Sequence, residues 1–154
     1  MGGTDANRCV KALTIRQPWA ACIVEGTKTI EVRSRRTHHR GPLAIHAAAT
    51  RERGFTKEEI GHLPLGAVVG MVEVVDCRPL TTADAEAGLF LELTEEDCEG
   101  LWAWVLSEPL ELIEPLPAKG YQNFWNMPDD VAEALNLACQ YDQVYRPEDA
   151  RPGE

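Results

Sequence analysis

Of 154 residues, 44% are hydrophobic and 26% charged, and the net charge is −10. These values describe one soluble globular domain with mass enough for a core of its own. They exclude a membrane segment, because the longest apolar run, Leu63 to Val72, is about half a span and is interrupted by Pro64, Gly66 and Gly70.

Met1 to Lys11 has no apolar stretch of the secretory kind, and residues 1–11 are expected as a flexible lead-in. Lys11 to Ile15 is a short strand. Gln17-Pro18-Trp19 opens a helix, where a proline's missing N–H costs nothing; Trp19, Cys22 and Ile23 fall on one helical face and Gly26 supplies the stop. Lys28 to Ser34 reads as a half-buried strand, with Lys28 itself in the turn before it. Thr29, Glu31 and Arg33 share one face of that strand, and Ile30 and Val32 the other. Thr37 to Pro42 is a basic loop with a turn at Gly41-Pro42. In the strand Leu43 to Ala48, His46 opposes Leu43, Ile45 and Ala47.

Thr56-Lys57-Glu58-Glu59 is a capping box and starts a short helix. The β-branched run Gly66 to Val75 is a core strand. Thr81 to Leu93 is partly helical, Leu101 to Leu106 and Leu110 to Leu116 are two strands, and Gly120 to Trp125 is a turn and short strand. Pro128 to Tyr141 is an amphipathic helix with Asp129 and Asp130 in its first turn. Residues 142–154 are expected as a flexible acidic tail, leaving 12–141 as a single domain. Short strands with few helices and no βαβ alternation predict an α+β fold built on a small β-barrel. There is no glycine-rich phosphate loop. Five scattered cysteines (Cys9, Cys22, Cys77, Cys98, Cys139) have neither metal-site nor redox-motif spacing. A cytoplasmic location, no cofactor and no metal are therefore expected; His38-His39 lacks a third ligand.

The charge is unevenly distributed. Residues 1–60 hold 11 Lys and Arg against 6 Asp and Glu, a net of +5, whereas residues 61–154 hold 4 against 19, a net of −15. Arg33, Arg35, Arg36, His38, His39 and Arg40 form the densest basic run. This asymmetry predicts one basic face on an acidic body; scattering of the basic residues over the surface is the competing reading.

Within this basic half, Gly26-x-Lys28-x-x-Glu31-x-Arg33 stands out, a mixed-charge face beside a buried one. With it come Leu13-Thr14-Ile15-Arg16-Gln17-Pro18-Trp19-Ala20, Arg40-Gly41-Pro42-Leu43-Ala44-Ile45-His46-Ala47, Leu65-Gly66-Ala67-Val68-Val69-Gly70, Trp102-Ala103-Trp104-Val105-Leu106 and Lys119-Gly120 to Phe124-Trp125. In this order the blocks resemble the ASCH domains, over roughly residues 12–127. The resemblance implies a PUA-like β-barrel with a cleft and a role in binding nucleic acid, RNA more often than DNA. Some similar bacterial proteins hydrolyse acetylated cytidine, and nuclease activity is attributed to others. The acetylcytidine amidohydrolases carry threonine three residues after the motif lysine; here that position is Glu31. Asn123 stands where the family commonly has glycine, and Asn accommodates φ > 0 better than most residues.

The candidate site residues follow from these patterns. Lys28 is a point charge for phosphate or, partly desolvated, a general base. Arg33 offers a planar fork to phosphate or a base edge, and Glu31 an acceptor for an exocyclic amine or an anchor for its basic neighbours. Trp19 and Trp125 are stacking candidates, each also readable as core; Trp102 and Trp104 are assigned to the core. His46 lines a cleft or serves the fold, and Gln17 caps its helix or reads a base. Arg16, Arg35, Arg36 and Arg40 complete the basic set, the last three as an electrostatic rim. The leading expectation is a nucleic-acid-binding module. Beside it stand a small hydrolase of a modified nucleoside or an RNA backbone, with Lys28 as base and Thr27, Thr29 or water as nucleophile, and a protein adaptor using the acidic half.

Overall fold

The computed structural model describes residues 8–149. Seven strands and four helices form a mixed α+β fold around one sheet. In chain order they are β1 (Lys11–Ile15), α1 (Trp19–Val24), β2 (Ile30–Arg33), β3 (Gly41–Ala47), α2 (Lys57–Ile60), β4 (Ala67–Pro79), α3 (Glu95–Cys98), β5 (Trp102–Pro117), β6 (Trp125–Asn126), α4 (Asp129–Gln140) and β7 (Val144–Tyr145). The sheet runs β2-β5-β4-β3-β1-β6, with β7 added to β5. β1 lies parallel to β3, and every other pairing is antiparallel.

Both sheet faces are covered. On one, Leu43, Ile45 and Ala47 meet Ile23 and Val24 of α1, together with Val72, Val74 and Trp104. On the other, Ala44 and Val68 meet Ala132 and Leu135 of α4. This explains why β3 is buried at every position from Leu43 to Ala47 and why its alternation is hard to see in sequence. A third cluster packs Leu80, Leu93 and Cys98 against Ile30 and Ala103, fixing the segment between β4 and β5 over the start of β2.

The expected barrel is left open. No backbone ladder joins β2 to β1 or β6 among the described residues. The two ends still approach one another, with Arg33 Nη2 3.5 Å from the carbonyl oxygen of Thr14. The candidate cleft lies at this seam.

Several elements differ from the sequence expectations. The two strands expected over 101–106 and 110–116 are one strand, β5. Pro109 interrupts the apolar pattern, but Glu108 takes a φ of 50° and the β4–β5 register shifts, so the pairing absorbs the proline as an irregularity. Gly41 and Pro42 begin β3 instead of forming a separate turn. The lead-in is anchored from Cys9 onward: Cys9 N–H donates to Asn136 Oδ1 at 2.9 Å, and Asn136 Nδ2 returns a bond to Cys9 O at 2.8 Å. The expected C-terminal tail supplies β7, paired to Glu111 and Leu112. A Cβ placed on Gly26, whose φ is +89°, would lie 3.0 Å from Pro147 Cγ, so the helix stop also seats this end of the chain. The rest of both expected termini, 1–7 and 150–154, lies outside the described residues.

Candidate nucleic-acid interface

The turn between α1 and β2 positions Lys28. Lys28 N–H donates to Cys22 O, and Thr29 N–H donates to Ala87 O of the segment between β4 and β5. Lys28 is 6% exposed, its Nζ donating to Gly88 O at 2.8 Å. The ammonium lies 5.8 Å from the Trp19 ring centroid and 5.5 Å from that of Phe90. Burial pushes its pKa below the ordinary lysine value, while the charges of Glu31 and Cys22 act in the opposite direction.

Glu31 and Arg33 project from the same face of β2, as strand alternation requires. Glu31 Oε2 accepts from both Nε and Nη2 of Arg33, at 3.0 and 2.8 Å. Glu31 is buried and Arg33 half-buried. One edge of the guanidinium is thereby pinned to the strand; Nη1 makes no bond to the described protein.

Three neighbouring compartments are all lined by Arg33. The first, about 520 Å³, is lined by Trp19, Lys28, Glu31, Arg33 and the Gly88-Leu89-Phe90 segment, with Thr14, Arg16 and Glu52 at its margin. The second, about 740 Å³, has Arg16, Arg33, His46, Lys119, Gly120 and Tyr121 among its walls. The third, about 390 Å³, is bounded by Arg33, Arg35, Arg36, Trp104, Asn123 and Phe124. Together they hold six Lys and Arg side chains, Arg16, Lys28, Arg33, Arg35, Arg36 and Lys119, against two carboxylates, Glu31 and Glu52.

The floor of the second compartment is a hydrogen-bonded chain. Trp125 Nε1 donates to Thr14 Oγ1 at 3.0 Å, and Thr14 Oγ1 lies 3.1 Å from His46 Nδ1. His46 Nε2 is 2.6 Å from Ala118 O. A carbonyl can only accept, so Nε2 carries the proton; neutral Nδ1 then accepts from the Thr14 hydroxyl. Burial lowers the pKa of His46, in keeping with this neutral tautomer; the Ala118 bond acts the other way.

The expected site residues thus divide. Lys28, Glu31, Arg33, Trp19, Arg16, Arg35 and Arg36 come together along the groove. Arg36 also lies over the Trp102 ring at 5.6 Å, and Arg16 is 3.7 Å from Glu52. Gln17 does not reach the groove: it is fully buried, accepting from Ala21 N–H and donating to Pro64 O, so it serves α1. Trp125, 7% exposed, lies beneath the groove against His46 and Tyr121, and is no open stacking surface. His46 lines the second compartment at 1% exposure, and its ring nitrogens are engaged by the fold. Arg40 lines none of the three compartments; it donates to Thr37 O and His39 O and approaches Asp76 at 3.8 Å.

Sequence reasoning missed Gly88, Leu89 and Phe90, which form a wall without charge or periodicity, Leu89 holding a φ of 62°. It also missed Tyr121 and Lys119, whose signal was their place in the Lys119-Gly120 to Phe124-Trp125 block. Tyr121 is 55% exposed, with Lys119 Nζ 5.5 Å from its ring. Asn123 takes a φ of 59°, the left-handed conformation expected where glycine is common.

The ASCH domain family model matches residues 13–117. Activating signal cointegrator 1 of Homo sapiens and of Mus musculus are each 28% identical over 140 residues, covering 81% of this chain and 23% of theirs. The chain therefore matches less than a quarter of the length of those relatives. Among solved structures, ASCH from Zymomonas mobilis superposes with a TM-score of 0.58 at 13% identity, over 91% of this chain and 98% of that one. A mutant form of the same protein gives 0.56 at 15% identity, over 90% and 99%. At such identities these structures speak to the fold alone. No helix among the described residues is long and apolar enough to cross a membrane.

Proposed function

The chain belongs to the ASCH domain family, and from that premise we propose that its groove binds single-stranded or modified nucleic acid, RNA before DNA. One observation carries the reading: six cations and two carboxylates line three adjoining cavities on a protein of net charge −10. An acidic body repels phosphates everywhere else and confines them to this face. Lys28 and Arg33 meet phosphate or base edge, Glu31 orients Arg33 and offers an acceptor to an exocyclic amine, and Trp19 walls the base. Trp19, Phe90 and Tyr121 supply aromatic surface at the groove, the second element of single-strand binding.

Hydrolysis with Lys28 as base has weaker support. Thr14 is the hydroxyl residue lining the first compartment, and its oxygen is engaged by Trp125 and His46. Titration with single-stranded RNA and DNA at low salt tests the binding reading. Saturable binding that weakens linearly with the logarithm of salt concentration is expected. Binding to neither, in the presence of turnover on acetylcytidine or RNA, would replace it with the hydrolase.

A further inference from the structure

We infer that the groove accepts a run of three consecutive nucleotides, one per compartment, with Arg33 holding the backbone where the compartments meet; this rests on the nucleic-acid reading above. The geometry distinguishes such an occupant from a single modified nucleoside. A pocket for one nucleoside would be one enclosed cavity. Here three cavities of about 520, 740 and 390 Å³ each have room for about one nucleotide, and Arg33 lines all of them. Thr14 and Arg16 are also shared by the first two, and Asn123 by the second and third, so the cavities lie side by side.

The first two compartments each pair an aromatic ring with a cation, and the third adds two arginines. Trp19 and Phe90 accompany Lys28 in the first, and Tyr121 accompanies Lys119 in the second. In the third, the Phe124 ring is packed against Trp104 at 5.2 Å and His39 at 5.4 Å, so this compartment contributes the charge of Arg35 and Arg36 more than open ring surface. Sequence-tolerant stacking plus backbone charge is what a strand of successive bases requires. Arg33 suits the junction: it lines all three cavities, and Glu31 fixes Nε and Nη2 while Nη1 keeps two N–H donors without an acceptor among the described residues. A pre-oriented guanidinium at the meeting point of three cavities matches a backbone phosphate between bases.

The test measures affinities of the whole chain for mono-, di-, tri-, tetra- and hexanucleotides of one sequence at fixed low salt. Affinity is expected to rise with each unit to the trinucleotide and then level off. Tyr121→Ala should weaken the trinucleotide about tenfold, within the cost of one lost stack, and remove one step from the rise of affinity with length. A plateau already at the mononucleotide, or a rise that continues undiminished past the trinucleotide, overturns the three-compartment assignment while the nucleic-acid reading stands. No binding at any length removes both.

Discussion

Lys28 Nζ donates to the carbonyl of Gly88 at 2.8 Å, across 60 residues of sequence. That bond ties the turn before β2 to the wall carrying Phe90, and it retains a cation in a place where burial opposes charge. A buried ammonium held at a charged cleft marks a functional-site candidate.

Replacing it separates the two effects. Lys28→Met keeps the aliphatic stem and removes the charge, so oligonucleotide affinity should fall about tenfold and the salt slope should decrease by about one contact. The same variant has a stability signature. With the folded pKa of Lys28 below 10.5, the unfolded chain binds the proton more tightly between the depressed value and 10.5. Stability therefore rises with pH through that window. Denaturation profiles should show this component in the parent and lack it in Lys28→Met.

Glu31 governs how Arg33 is presented. Glu31→Gln preserves the shape and one neutral acceptor but removes the charge that neutralises the guanidinium. The salt slope for oligonucleotide binding should steepen, because one more uncompensated cation faces phosphate. Discrimination among homopolymers should shrink as the carboxylate acceptor is lost. Salt titrations on a homopolymer panel check both; an unchanged slope would mean that Arg33 does not meet phosphate.

The contrast between Lys28 and Trp125 shows what sequence could and could not reveal. Lys28 was legible because a helix stop and an alternating strand bracket it, which fixes its place in the turn. Trp125 stayed open between stacking surface and core because composition marks an aromatic without marking its layer. Only the β1–β6 pairing, Ala12 opposite Trp125, sets its ring under the groove. Gln17 was equally ambiguous, since an amide that caps a helix and one that reads a base look alike in sequence. The wall at Gly88 to Phe90 depends on Lys28 and Ala87 contacts from distant segments, so local pattern could not announce it. The strand β5 was split by Pro109, whose cost is absorbed by an irregular ladder that pairs it with β4.

Gly120 tests the second compartment. A Cβ there would lie 2.6 Å from His46 Cε1 and 2.6 Å from Thr14 Oγ1. Neither atom belongs to the far end of a flexible side chain, so Gly120→Ala must displace the loop or the hydrogen-bonded floor. Overpacking of this kind costs about 1–3 kcal/mol. The variant should unfold at correspondingly lower denaturant concentration and lose affinity for trinucleotides more than for mononucleotides. Equal loss on both would place the compartment outside the binding path.

His46 gives the fold a defined acid sensitivity. Its Nε2 proton points to Ala118 O at 2.6 Å and its Nδ1 accepts from Thr14, so a second proton on Nδ1 must turn the Thr14 hydroxyl from donor to acceptor, while that oxygen already accepts from Trp125 Nε1. Desolvation accordingly holds the folded pKa below 6.5. Between that value and 6.5 the unfolded chain binds the proton more readily, so stability rises with pH through the window. The contribution is fully present above 6.5 and lost as pH falls through the depressed value. His46→Gln can still donate to Ala118 O but does not titrate. Its denaturation midpoint should be lower than the parent's at neutral pH, because the ring contact with Trp125 is lost. On the acid side of 6.5 the gap between the two proteins should narrow, since the parent alone carries the protonation penalty. A gap independent of pH would show that the imidazole accepts its second proton in the fold without cost.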